Sequence, residues 1–164
     1  MFEKLFKKNS NVNDAKLYAP VDGKLVSLEE VPDPVFSEKM MGDGIAVRPT
    51  SDEVLSPCDG KIVQVFPTKH AVGIQTANGA DVLIHVGLET VELNGEGFTS
   101  FVDEGDQVKQ GDKLIKFDKG YIAENAKSTT IPIVITNTDD MNEIVKEDNK
   151  QIKANVDQIL VVKQ

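Results

Sequence analysis

One cysteine and two histidines are all the chain has of the residue types that most often build reactive or metal sites. A single cysteine excludes an internal disulfide framework. Cys58 lies in the turn-like stretch Ser56-Pro57-Cys58-Asp59-Gly60 and reads as a packed bystander rather than a catalytic thiol. No apolar run reaches transmembrane length, and there is no secretory hydrophobic region; the expected location is cytoplasmic. Basic residues are too few for a nucleic-acid footprint: 18 Lys and Arg face 27 Asp and Glu, a net charge of −9. Phosphate backbones need the opposite balance, whereas an acidic surface suits a basic protein partner. There is no glycine-rich phosphate loop, no Gly-x-Gly-x-x-Gly and no kinase signature. There is also no His-Glu-x-x-His or Cys-x-x-Cys. A chain of this kind that handled phosphate would receive it from another protein, and two histidines alone make an incomplete metal site.

What is present fits one ordinary globular domain. The chain has 164 residues, 40% of them hydrophobic and 27% charged, enough for a substantial core. Residues 1–18 read as a flexible N-terminal segment and residues 19–164 as the domain. The first eight residues are basic with spaced apolar side chains, so they read either as a frayed terminus or as a weak membrane-surface contact. From Ala19 onward, short Val- and Ile-rich runs end at Gly, Pro, Asn or Asp. Strands are expected over 23–28, 44–49, 53–56, 60–66, 71–76, 81–86, 97–101, 113–117, 131–135 and 158–162. Helices are expected over 119–127 and 141–145, the second capped by Asp139 or Asp140. Ala19-Pro20-Val21-Asp22-Gly23-Lys24-Leu25-Val26 matches Ser56-Pro57-Cys58-Asp59-Gly60-Lys61-Ile62-Val63. Two matched segments are too few for a solenoid; with these strands they point to an all-β, duplicated β-sandwich with short peripheral helices.

Both histidines flank the strongest hairpin signal in the chain, Asn78-Gly79. A two-residue loop there pairs Ala77 with Ala80, so that paired residue numbers sum to 157. Val72 then faces His85 and His70 faces Gly87. Residues two apart on a strand share a face, which makes the histidines diagonal neighbours with Cα atoms about 7–8 Å apart. The same register puts Val72, Ile74 and Leu83 on their face. A one-residue slip would move the histidines to opposite faces. A polar pair in an apolar field suits chemistry inside a temporary, water-poor protein contact. An imidazole can act as nucleophile, base or ligand. Attack on phosphorus needs a neutral ring with a free lone pair and a neighbour holding the phosphoryl oxygens; a second histidine can supply that N–H, and Thr68 could orient His70. Apolar candidates for a contact surface are Phe36, Met40, Met41 and Phe66, with Met40-Met41 an adaptable pair.

Several stretches together resemble the glucose-type enzyme IIA of the bacterial sugar phosphotransferase system. They are residues 79–91, Thr68-x-His70, residues 31–44, residues 90–98 and Ala126-Lys127-Ser128-Thr129. The likeness runs in order from Ala19 to the C-terminus. It implies a phosphotransferase component in which His85 accepts a phosphoryl group at Nε2 from the histidine-containing phosphocarrier protein. His85 would pass it to a cysteine on the IIB domain of a glucose-type permease. His70 would hydrogen-bond the phosphoryl group and support delivery, and Thr68 would hold His70. Asp33 and Glu89 would stand at the rim of the partner face, and Phe36, Met40, Met41, Phe66 and Leu83 would form its apolar ring. Leu83 replaces an aromatic residue, and Met40-Met41 a β-branched pair, of the enteric members. No cofactor is required, although in that family a zinc ion can bridge both histidines and a partner carboxylate; here that would place zinc on His70 and His85. Regulatory targets, including other permeases and glycerol kinase, belong to enteric relatives. The absence of an attached permease segment leads to an expectation of delivery in trans.

Two other classes share parts of this pattern. Biotinyl and lipoyl carriers also carry Gly-Asp-x-Val-x-x-Gly-Asp units like residues 105–114, but they place a modified lysine at a hairpin tip where this chain has Asn78-Gly79. A zinc peptidase of duplicated architecture would need a third protein ligand beside the histidines, and the chain has no His-x-His.

Overall fold

The computed structural model describes residues 14–164. The basic N-terminal stretch, with the membrane-surface contact considered for it, lies outside the described residues. Asp14–Tyr18 already forms strand β1, so the ordered body begins before Ala19. The strands that follow are β2 (Gly23–Ser27), β3 (Asp43–Pro49), β4 (Glu53–Leu55), β5 (Gly60–Val65), β6 (Ala71–Gln75), β7 (Asp81–His85) and β8 (Phe98–Ser100). They continue with β9 (Gln107–Val108), β10 (Lys113–Phe117), β11 (Ile131–Ile135), β12 (Glu143–Lys146), β13 (Lys150–Ile152) and β14 (Gln158–Lys163). Two short helices, α1 (Pro34–Ser37) and α2 (Lys119–Asn125), complete the body together with brief 3-10 turns.

The strands form three antiparallel sheets, an all-β sandwich. The largest runs β13-β2-β3-β11-β7-β6-β5-β9, and three-stranded sheets β1-β14-β12 and β4-β10-β8 accompany it. The order of the large sheet reflects the duplication. β2 opens at Gly23 and pairs with β13; β5 opens at Gly60 and pairs with β9. The aspartate before each glycine makes the same contact. Asp22 Oδ1 accepts from Ala154 N at 2.7 Å, and Asp59 Oδ1 accepts from Gln110 N at 2.8 Å. Gln110 Nε2 in turn donates to Asn155 Oδ1 at 2.8 Å, joining the two turns.

The central strands β3, β11, β7 and β6 are buried on both faces, which is why they read as continuous apolar runs. Alternation separates the faces. Leu25, Ile45, Val72, Ile74, Val82, Ile84, Ile131 and Ile133 enter the main core, whereas Val26, Ala46, Ala71, Leu83 and Val134 enter a second cluster completed by Leu28, Val31, Phe36 and Leu88.

Two expectations are corrected. The segment expected as a helix over 141–145 is strand β12, preceded by a 3-10 turn over Thr138–Asp140 whose N-cap is Asn137, not Asp139 or Asp140. Glu143-Ile144-Val145-Lys146 pairs with β14 and packs Ile144 on the core, a tertiary partner that outweighs weak local helix preference. The hairpin loop also differs. Ala71 faces His85 and Gln75 faces Asp81, so paired numbers sum to 156, not 157. Thr76 N donates to Ala80 O at 2.9 Å across a three-residue loop in which Gly79 alone takes a positive φ, +87°. This is the form in which a tight turn is followed by a left-handed residue. Asn78 instead turns its side chain inward, where Nδ2 donates to Val162 O at 3.0 Å.

Candidate functional site

His85 ends β7 and points to the second cluster with Leu83. Val72 and Ile74, expected on this face, lie in the main core instead, as the shifted register requires. By strand alternation alone that shift would carry His70 to the far side. It does not, because His70 lies before β6 and is placed by a turn. Lys69 N donates to Phe66 O at 2.8 Å, with Pro67 and Thr68 between them, and Lys69 then takes φ +61°. Proline suits the second position of such a turn, and the left-handed residue after it swings His70 back over the sheet. Val86 N closes the arrangement by donating to His70 O at 2.7 Å. The two imidazole rings end 4.8 Å apart between centroids and nearly perpendicular, at 80°. The pairing read from the sequence therefore stands, although for a different geometric reason.

Each ring has its Nδ1 engaged. His85 Nδ1 lies 2.8 Å from Gly87 O. A carbonyl only accepts, so Nδ1 carries the hydrogen and Nε2 keeps its lone pair. Gly87 makes this carbonyl available at φ +82°, where an added Cβ would meet Thr90 Cγ2 at 2.5 Å and Ser128 O at 3.0 Å. The loop is further held by Leu88 N donating to Ser128 O at 2.9 Å and by Thr90 Oγ1 donating to Val86 O at 2.7 Å. His70 Nδ1 lies 2.7 Å from Thr68 Oγ1, as expected of Thr68. A hydroxyl can donate to this nitrogen or accept from it.

The surroundings keep both rings neutral. His70 is 2% exposed, and burial, with His85 beside it, pushes its pKa down to about 4. Burial also lowers the pKa of His85, against a raising influence from the Gly87 carbonyl and the charge of Asp33. Phe36 packs on His85 at 5.1 Å, and Phe66 on His70 at 5.4 Å. Phe98, which the sequence did not single out, reaches His70 at 6.4 Å; its sequence neighbourhood gives no signal for a residue brought in from another sheet.

Other expected residues are placed around this centre. Asp33 caps α1, its Oδ1 accepting from Val35 N at 3.0 Å, and so orients Phe36. Glu89 follows the Gly87 loop in a left-handed conformation and lies 4.0 Å from Lys127 Nζ. Met40 and Met41 are exposed and line a separate shallow depression with residues 136–140, outside the packed cluster that contains Phe36 and Leu83. For a metal, the chain offers the two Nε2 atoms; among the described residues no group of three or more His, Cys, Asp or Glu comes together as a ligand set. A tetrahedral zinc would take its further ligands from elsewhere. Among the described residues no helix is long and apolar enough to cross a membrane.

The chain is similar to known proteins over most of its length. Residues 15–141 match the family model of the phosphoenolpyruvate-dependent sugar phosphotransferase system, EIIA 1. The chain is 59% identical over 139 residues to the PTS system glucose-specific EIIA component of Bacillus cereus, covering 85% of this chain and 84% of that protein. It is 49% identical over 163 residues to the component of the same name from Staphylococcus epidermidis, covering 99% and 98%. The solved structure of glucose permease IIA from Mycoplasma capricolum superposes with a TM-score of 0.85 at 41% identity, over 90% of this chain and 95% of that one.

Proposed function

The chain belongs to the EIIA 1 family of the phosphoenolpyruvate-dependent sugar phosphotransferase system, and from that membership we propose that it carries phosphoryl groups on His85 for glucose-type sugar uptake. The donor is the histidine-containing phosphocarrier protein and the acceptor is a cysteine of the permease IIB domain. The observation that carries the reading is the fixed tautomer of His85. With Nδ1 donating to Gly87 O, Nε2 of this partly buried ring presents a lone pair to phosphorus without any prior proton transfer. A bond forms from Nε2 to phosphorus as the donor's phosphorus–nitrogen bond breaks. In delivery, the Nε2–phosphorus bond breaks as the acceptor thiolate takes the group.

His70 is a positioning and charge-stabilising partner in this scheme. In this scheme the Thr68 hydroxyl, 2.7 Å from Nδ1 and able to donate or accept there, acts as the donor, which puts the ring hydrogen on His70 Nε2, available to a phosphoryl oxygen. His70 is buried and held in place, and such positioned donors supply most of the catalysis in phosphoryl transfer. Asp33 and Glu89 stand where basic residues of a partner would meet them. Phe36, Phe66 and Leu83 give the apolar floor, and Met40 and Met41 extend the contact outward. Zinc could bind the two histidines only with ligands added by a partner protein.

The test is intact-protein mass spectrometry after incubation with phosphoenolpyruvate, enzyme I and the phosphocarrier protein. One acid-labile phosphate is expected on the wild type and none on His85→Ala. His70→Ala is expected to accept phosphate but not to deliver it to IIB. Phosphate uptake by His85→Ala would refute the assignment.

A further inference from the structure

Thr90 is a fully buried polar side chain that the transfer chemistry described above does not touch. It opens the 3-10 turn Thr90–Leu93, and its hydroxyl reaches back four residues to donate from Oγ1 to Val86 O at 2.7 Å. Its methyl lies against Gly87, where an added Cβ would meet Cγ2 at 2.5 Å. Each peptide unit is planar, so a hydrogen bond to one of its atoms orients the whole unit. Val86 O shares a plane with Gly87 N, and Leu88 N shares the next plane with Gly87 O. Thr90 therefore holds the plane before Gly87, and Leu88 N, donating to Ser128 O at 2.9 Å, holds the plane after it. Between them lie only φ and ψ of Gly87. Glycine, with no Cβ, does least to fix those angles by itself. One plane further upstream, Val86 N donates to His70 O at 2.7 Å, so the segment leaving His85 is tied down peptide by peptide.

We propose that Thr90 is a positioning residue for His85: by anchoring the Val86 carbonyl it aims the Gly87 carbonyl at Nδ1 and keeps the reactive lone pair on Nε2. The kinetic consequence rests on the carrier reading above; the structural one does not. A neutral imidazole carries its hydrogen on either nitrogen, and the partner of one nitrogen decides which tautomer holds. For His85 that partner is Gly87 O, 2.8 Å from Nδ1. Without the Thr90 hydroxyl the buried Val86 carbonyl loses this donor, and an unsatisfied buried carbonyl is costly enough to turn its plane in search of another. The loop that carries Gly87 O relaxes with it. Once that carbonyl leaves Nδ1, the tautomer with hydrogen on Nε2 becomes accessible. Its lone pair sits on Nδ1 and faces the loop, where no phosphorus arrives.

The experiment compares the full-length wild type with Thr90→Val, which keeps the shape and removes the hydroxyl, and Thr90→Ser, which keeps the hydroxyl. Two quantities are read: the nitrogen-15 resonances of the His85 ring at a pH where both rings are neutral, and the single-turnover rate of charging by the phosphocarrier protein. The chain has two histidines, so His70→Gln assigns the signals. The wild type is expected to show an N–H nitrogen at Nδ1 and a lone-pair nitrogen at Nε2. In Thr90→Val the two signals should move toward each other as the tautomers mix, and charging should slow roughly tenfold, the weight of one buried hydrogen bond. Thr90→Ser should restore both. Thermal unfolding registers any loss of stability, which by itself leaves the ring signals of the folded protein unmoved. Thr90→Cys, with only a weak S–H donor, should fall between wild type and Thr90→Val, and it keeps the test valid if Thr90→Val does not fold. Wild-type ring signals in either of these two variants would overturn the proposal, as would mixed tautomers that persist in Thr90→Ser. A wild type that keeps the Nδ1–H tautomer yet is never charged would instead remove the carrier reading itself.

Discussion

The proposed transfer calls for a neutral imidazole as nucleophile, and burial lowers the pKa of both rings. His70 stays uncharged down to about pH 4 because its ring is enclosed and faces a second imidazole. The consequence for stability follows from linkage. The unfolded chain protonates this histidine near its ordinary 6.5, whereas the folded chain resists protonation to about 4, so between those values the unfolded state binds more protons. Stability is therefore complete above about pH 6.5 and falls as pH drops toward 4, by about 3 kcal/mol from His70 alone at 1.36 kcal/mol per pKa unit. His85, also lowered, acts in the same direction. Urea unfolding midpoints measured across this range should decline steeply for the wild type and more gently for His70→Gln. An identical slope in the variant would show that His70 charges freely in the folded protein. That the two histidines meet was legible in the sequence, because both stand close to one Asn-Gly turn. Phe98 was not, because its contact with His70 joins residues from different sheets.

At the scale of elements, the β6–β7 hairpin carries the instructive difference. Asn-Gly announces a turn, and a turn is there. Its length, however, was decided by what Asn78 could reach. Buried at 4% exposure, the side chain donates to Val162 O of β14 and accepts from Ala80 N at 3.3 Å and from the Thr76 hydroxyl. A two-residue loop would need Asn78 at positive φ, pointing elsewhere. The third loop residue moves the ladder by one and exchanges the faces of β6 relative to the first expectation. Asn78→Ala should lower stability by about 1–3 kcal/mol, the cost of leaving buried partners unsatisfied. Calorimetric melting would measure this, and the histidine ring resonances should keep their wild-type shifts, since the loop lies at the opposite end of β7 from His85. Strand β12 was missed for a related reason: its alternation covers only four residues, too short a window to separate a strand from a helix.

For the molecule as a whole, the excess of acid bears on how partners arrive. A net charge of −9 favours encounter with basic surfaces through long-range attraction, which salt screens over about 10 Å at 0.1 M. The second-order rate of charging by the phosphocarrier protein should therefore fall as ionic strength rises from about 0.05 to 0.5 M, with little change in the first-order transfer step. A rate constant indifferent to salt in stopped-flow measurements would mean that the apolar face alone governs encounter. The sequence by itself determined the all-β duplicated architecture, the two histidines and their threonine, because strand periodicity, Asp-Gly turns and rare residue types act locally. Only the tertiary structure decided the hairpin register, the turn that returns His70 to His85, the tautomer held by Gly87 and the neutrality of both rings. Those depend on hydrogen-bond partners and burial supplied by segments distant in the chain, which no local pattern encodes.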